Sequence, residues 1–330
     1  MSTVDFSTDS TPFSADTPLH MTSLSDYRVL TIYGADAPTF LQGQFTQDVA
    51  AATEQTARLS AYCTAKGRML ASFIFWQSGT PATDGTKAFH VLVRSDIAES
   101  FAKRLRMFVL RAKVTIEDTG MTPTAYWAGE NVDLAAGKLG TPAPWQVVVT
   151  GSAVQIGLPA GTGIQRGLLI GDHDIDAGTA QPGQPDEWAV LDILAGIPWV
   201  EQANQEMFIP QDVNLDAIGA VSFTKGCYPG QEVVARSHYR GKLKRRMLNG
   251  FCDVAGETSP AAGTDITDIT NIREPSGQVV NVATLADKQF LLFEVRLEAA
   301  EHNQLVLGDE NGTPITLLPM PYLLDKPALA

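Results

Sequence analysis

The stretch FTKGCYPGQEVVARSHYRGKLKRRM, Phe223 to Met247, decides how this chain is read. Cys227 follows Lys225 and Gly226 and stands just before a predicted helix start at Pro229, with Gly241 closing that helix. A helix N-terminus and a nearby ammonium both favour a thiolate. A buried, inert cysteine is the competing reading, since free cysteine is usually buried. Gly226 and Gly230 bracket the thiol, and glycine lets a backbone approach a ligand closely. An ordinary loop-to-helix turn would use the same two glycines, and the order of a phosphate-binding P-loop is absent. Charge is the third feature. Lys225, Arg236, Arg240, Lys242, Lys244, Arg245 and Arg246 face only Glu232 over this window, in a chain of net charge −13. Such a local inversion of sign suits a polyanion, such as a polyglutamate tail, a phosphate or an RNA backbone. It equally suits a solvated face paired with acidic neighbours. His238, within the same segment, reads either as a proton donor or as a surface residue.

Downstream of Lys242 the pattern is strands and turns, at 246–252, 278–284, 289–297 and 314–318, which predicts a separate small β-barrel or sandwich. Upstream, the reading is α+β. Strands are predicted at 27–32, 58–63, 69–76, 88–94 and 112–117, with the pair around Lys66-Gly67-Arg68 forming a hairpin. A helix follows Asp96, which reads as its cap with Glu99 as capping-box partner, and Ile97, Phe101, Leu105 and Phe108 fall on its apolar face. Gly120 to Gly140 is poorly patterned and reads as loop. Further strands are predicted at 145–150 and 167–170, and a helix runs from Asp186 to Leu194.

The 330 residues, 44% hydrophobic and 18% charged, describe an ordinary globular protein of two or three domains. Three scattered cysteines, Cys63, Cys227 and Cys252, exclude a disulfide framework and cannot complete a four-ligand metal or cluster site within one chain. Residues 1–20 lack the basic and apolar regions of a signal peptide, and no apolar run approaches membrane-spanning length. A soluble, cytoplasmic protein with a disordered tail at 1–22 is expected.

Lys225-Gly226-Cys227-Tyr228-Pro229-Gly230-Gln231-Glu232 resembles the K-G-C-Y-x-G-Q-E signature of the YgfZ family. LQGQFTQDV (Leu41–Val49), CTAKGRML (Cys63–Leu70), GIPW (Gly196–Trp199) and FIPQDVNLD (Phe208–Asp216) resemble further motifs of that family in the same order. Ala235-Arg236 and Tyr239-Arg240-Gly241-Lys242 agree as well. The resemblance covers roughly residues 24 to 250 and implies an α+β fold like the glycine-cleavage T-protein. That fold is a three-domain ring around a central folate channel, with a C-terminal β-barrel. The implied division is a discontinuous folate-binding domain at 23–55 and 152–241, a central domain at 56–151, and the barrel at 242–330.

The resemblance also implies tetrahydrofolate or a derivative as cofactor. Iron–sulfur client proteins, such as the enzymes that methylthiolate tRNA, are the implied partners, with neither a membrane nor direct nucleic-acid binding expected. Cys227 is the signature residue, with Lys225 and Glu232 shaping its loop. Gly226, Tyr228, Gly230, Gln231, Arg236, Tyr239, Arg240 and Asp192 are the implied cofactor contacts, and no metal ligands are implied. Two departures separate the chain from the transferases. Lys66 to Ser72 (KGRMLAS) holds no acid where they carry a catalytic Asp, and Leu194, not Glu, precedes Ala195-Gly196, with Asp192 nearby. Assembly or repair of iron–sulfur enzymes is the leading expectation. A folate-dependent one-carbon transferase and, third, an RNA-binding protein are the alternatives.

Overall fold

A computed structural model of the chain describes residues 12–150, 152–161, 163–173, 180–240, 243–254 and 260–324. Three sheets carry the fold. The first has five antiparallel strands in the order Arg58–Cys63, Met69–Gln77, Ala88–Arg94, Tyr27–Tyr33 and Thr115–Asp118. The second has six, in the order Gln181–Pro182, His20–Ser23, Thr124–Gly129, Ile164–Ile170, Ala153–Gly157 and Val147–Thr150, and only its first pair is parallel. The third has seven, running Thr313–Pro314, Leu305–Leu307, Asp265–Asp268, Gly277–Leu285, Lys288–Arg296, Arg245–Asp253 and Thr316–Leu318. Its two edge strands are separated in the chain by Ile315 alone, which brings the edges together and makes the sheet a nearly closed barrel.

Five α-helices accompany the sheets among the described residues: α1 (Ala37–Gln42), α2 (Ser95–Val109), α3 (Pro185–Leu194), α4 (Gln231–Arg240) and α5 (Leu297–His302). α2 lays Ile97, Ala98, Phe101, Ala102 and Leu105 onto the first sheet. α3 lies between the second and third sheets: Trp188 packs on Trp127, and the helix meets strands Gly277–Leu285 and Lys288–Arg296. Its start is fixed by Glu187, whose carboxylate accepts from the Gln184 N–H at 2.7 Å.

Several sequence expectations need correction. Asp96 does not cap α2. The helix begins one residue earlier, and the Asp96 carboxylate instead accepts from the Gln202 N–H at 2.8 Å, trading a local cap for a long-range tie. Phe108 leaves the apolar face and is exposed. Thr124–Gly129, inside the expected loop, is a central strand of the second sheet. Both of its faces are covered, so it shows no polar alternation to read. Residues 12–22, expected in the disordered tail, are ordered: Phe13 and Leu19 are buried, and His20–Ser23 pairs with Thr124–Gly129. The pairing is entirely long-range and leaves no local signature. Residues 1–11 of that expected tail lie outside the described residues.

The sheets also cut the chain differently from the expected boundaries. Tyr27–Tyr33 pairs with Ala88–Arg94 and Thr115–Asp118, so both sides of the break at 55/56 share one sheet. Val147–Thr150 pairs with Ala153–Gly157 across the break at 151/152, as a tight turn dictates. Gly241 and Lys242, at the third break, lie outside the described residues.

The turn-rich segment 196–216 ties the sheets to one another through buried polar bonds. Ser72 donates to Pro198 O at 3.0 Å and accepts from the Val200 N–H at 2.8 Å. Asn281 accepts from the Trp199 N–H and donates to Trp199 O, at 2.8 and 2.9 Å. Asn214 donates to Met247 O at 2.7 Å. Arg246 forms a two-pronged ion pair with Asp216, at 2.6 and 3.1 Å, with both side chains buried. The Tyr322 hydroxyl donates to Gly196 O at 3.0 Å. Gly196 has φ +64, and an added Cβ would strike the Tyr322 ring at 2.6 Å, so the clasp requires glycine.

Candidate functional site

α1 ends at Gln42, and the carbonyls beyond a helix end need partners. Lys225 supplies them. Its ammonium donates to Gln42 O, Phe45 O and Gln47 O at 2.6, 2.5 and 3.2 Å, and lies 5.2 Å from the centroid of the Tyr228 ring. A cation at a helix C-terminus is favourably placed, and charged hydrogen bonds are the strong ones. Burial pulls the Lys225 ammonium down to about 8, with Asp48 acting in the opposite direction. The residue expected to steady the thiol by charge thus spends that charge as a strut, fixing the Cys227 loop to the LQGQFTQDV motif. Thr46 adds a second tie: its hydroxyl donates to Ala220 O at 2.9 Å, and its carbonyl accepts from the Ser222 N–H at 2.9 Å.

The hairpin motif meets the loop through glycine. Gly230 has φ +81, and a Cβ there would lie 2.5 Å from Gly67 Cα and from Thr64 O. Gly67, at φ +74, faces Val233 in return. Two backbones therefore touch where any side chain would part them. Gln211 completes the mount by donating to Val234 O, in the first turn of α4, at 2.6 Å. Three motifs far apart in the chain converge in this way on one loop.

On this mount Cys227 is exposed, whereas Cys63 and Cys252 are buried. Burial pushes the Cys63 thiol up to about 12 and the Cys252 thiol up to about 11. α4 begins at Gln231, two residues after the expected Pro229, so the thiol precedes the helix by a full turn of chain. Gly226 faces open space. Tyr228 is buried, its hydroxyl has no hydrogen-bond partner among the described residues, and burial, then Cys63, raises its pKa. Glu232 sits exposed in the first turn of α4 and makes no hydrogen bond or ion pair among the described residues. Arg236 is exposed on the same helix. Tyr239 is 67% exposed, and its ring edge meets both Phe223 and His238, which are stacked 3.8 Å apart at 14°. Arg240 ends α4, and its side chain lies outside the described residues.

Asp192 stands apart from this group. It is buried, and its oxygens accept from Arg166 at 2.8 Å, Trp199 Nε1 at 2.9 Å and the Tyr27 hydroxyl at 3.4 Å. Burial raises its pKa, and Arg166 opposes the rise. A carboxylate engaged in that manner anchors α3 to Arg166, Trp199 and Tyr27. The basic segment is reduced: Arg245 and Arg246 are paired with Glu294 and Asp216, leaving Arg236 and Lys244 exposed. Thr46, Gln211 and Phe223 were not singled out in the sequence. The first two lie within quoted motifs, but a neutral side chain that braces a loop resembles any surface polar residue until the fold is known.

The arrangement offers one accessible sulfur on a braced loop and, on the same 223–240 segment, a stacked aromatic pair and an exposed guanidinium. A sulfur so placed can ligate, attack or exchange, an aromatic face takes a flat ring, and a guanidinium takes a carboxylate. Among the described residues no cluster of three or more His, Cys, Asp or Glu could hold a metal ion, and no helix is long and apolar enough to cross a membrane.

No protein-family model matches the chain. The glycine cleavage system aminomethyltransferase T from Bartonella henselae superposes with a TM-score of 0.67 at 13% identity, over 94% of this chain and 87% of its own, which establishes the shared fold. The tRNA-modifying protein YgfZ of Escherichia coli O7:K1 (strain IAI39 / ExPEC) is 32% identical over 328 residues, spanning 95% of this chain and 96% of that protein. The protein of the same name from Shigella boydii serotype 18 (strain CDC 3083-94 / BS512) matches to the same extent. With the KGCYPGQE loop built from the motifs that the resemblance rested on, and that degree of likeness over almost its whole length, the chain belongs to the YgfZ family.

Proposed function

We propose that the protein is a folate-dependent assistant of iron–sulfur enzymes, including those that modify tRNA, and that Cys227 is the residue through which it acts. The observation that carries this reading is the mounting of Cys227. It is the exposed cysteine of three, and Lys225, Thr46, Gln211 and the Gly67–Gly230 contact fix its loop from four sides. The name of the relatives supports a link to tRNA modification, and the aminomethyltransferase fold supports a link to folate.

The residues present fit a reduced folate. Phe223, His238 and Tyr239 offer ring faces to a flat heterocycle, and Arg236 offers a cation to a glutamate carboxylate. A bound tetrahydrofolate supplies a carrier for one-carbon units. The hairpin turn beside the loop presents Lys66 and Arg68 and no carboxylate, which weighs against aminomethyl transfer.

The test is methylthio modification of tRNA in cells lacking the protein. Wild type should restore it and Cys227→Ala should not, at equal expression. Full restoration by Cys227→Ala would remove the cysteine from the proposal. Tyr239→Ala should weaken tetrahydrofolate binding, measured by equilibrium dialysis, by about tenfold, the loss of one aromatic contact of 1–3 kcal/mol. Unchanged binding would move the folate site elsewhere.

A further inference from the structure

The end of α2 carries a surface that this chemistry leaves unused. Lys103 to Lys113 reads KRLRMFVLRAK, with five cations and no acid in a strongly acidic chain. Met107 is 68%, Phe108 47% and Leu110 87% exposed, and the three stand within four residues of one another. Single exposed apolar residues are normal, but a cluster ringed by charge marks an interaction surface. Leu110 has φ +45, left-handed backbone that a bulky side chain rarely adopts, and the turn it makes presents the leucine outward. None of the five cations is in an ion pair among the described residues. Arg106 donates to Ile116 O at 2.7 Å, and all five cations are exposed.

We propose that this end of α2 is where the client enzyme docks, through an acidic face carrying an apolar cleft. The proposal rests on the function read above. Charge complementarity selects an anionic partner, and the apolar trio selects one with somewhere dry to put it. Arginine, methionine and aromatic residues are the types enriched at protein interfaces, where they fill central pockets. RNA would satisfy the cations but offers no cleft to Leu110 or Met107.

The test places benzoylphenylalanine at Phe108 in cells lacking the native copy, with a tagged iron–sulfur tRNA-methylthiolating enzyme as the probe. Irradiation should link the two proteins in wild type and in Cys227→Ala. The link should fall at least about tenfold in Leu110→Glu/Arg111→Glu, the loss of one anchor of an interface. That variant should also lose tRNA methylthiolation at an unchanged melting temperature. Lys103→Glu/Arg111→Glu, which leaves the apolar residues in place, repeats the test should the first variant unfold. Full rescue by either folded variant, in cells where Cys227→Ala fails, overturns the docking surface and leaves the function standing. Crosslinks to tRNA or to a second copy instead of the enzyme overturn it too, as does binding to phosphatidylserine vesicles without a link to the enzyme. Normal methylthiolation in cells that lack the protein would defeat the function and the docking together.

Discussion

Gly230→Ala puts a methyl group where the structure has backbone. The residue sits at φ +81, and forcing an L side chain into left-handed space costs about 1–2 kcal/mol. The new Cβ would lie 2.5 Å from Gly67 Cα, 2.5 Å from Thr64 O and 2.6 Å from Gly67 N. All three are main-chain atoms of the hairpin turn, so no rotamer can swing aside, and the overpacking adds about 1–3 kcal/mol. The combined loss is about 2–5 kcal/mol. Gly226→Ala is the control. It is in the same loop, faces open space and needs no left-handed backbone, so it should stay within about 0.5 kcal/mol of wild type. Urea unfolding measures the stabilities, and the rate at which a disulfide reagent modifies Cys227 reports whether the loop has come off its seat. If Gly230→Ala is as stable as wild type with an unaltered thiol rate, or if Gly226→Ala is equally damaging, the backbone contact does not hold the loop.

Asp216→Ala would leave the buried Arg246 guanidinium without its counter-ion and should cost about 3–5 kcal/mol by urea unfolding, with Asp216→Leu/Arg246→Met recovering much of the loss. Titration with a thiol reagent should find one fast-reacting group, removed by Cys227→Ala, and two that react only on unfolding, because Cys63 and Cys252 are buried. The pair of His302 on α5 with Asp268 at the end of strand Asp265–Asp268 should make local stability depend on pH. The hydrogen bond that the His302 Nδ1–H donates to Asp268 raises His302, and although burial works against it, the Asp268 carboxylate is held down by His302 and Thr270. A raised imidazole contributes below its ordinary value and is lost as pH climbs through the folded one. A lowered carboxylate contributes above its ordinary value and is lost as pH falls through the folded one. Amide protection of α5 should therefore peak between about pH 4 and pH 6.5 and lose that peak in His302→Ala.

The α+β character, the hairpin at 58–76 and the strands after residue 244 could be read in the sequence, because tight turns between apolar, β-prone runs are local signals. What escaped was long-range. Thr124–Gly129 is buried on both faces and shows no alternation, and His20–Ser23 is a strand only because Thr124–Gly129 lies beside it. Phe108 has helical spacing with Phe101 and Leu105, but α2 outruns the sheet beneath it, so spacing alone could not reveal its exposure. At the site, the sequence pointed to Cys227 and its glycines. Charge arithmetic could not show that Lys225 would turn inward to three carbonyls, nor that Arg245 and Arg246 would be neutralised by Glu294 and Asp216.

The Tyr322–Gly196 clasp bears on the order of events during synthesis. The two residues are 126 positions apart, and a ribosome adding about 5–20 residues per second reaches the tyrosine roughly 6–25 s after the glycine has been made. Asn281, which closes onto Trp199, arrives partway through that interval. The 196–216 segment is therefore among the last parts of the nascent protein to find its partners, although much of the sheet framework is already in place. Until then its tryptophan and its unpaired carbonyls stand open, and this delay gives a chaperone a defined period, and a defined stretch of chain, on which to act.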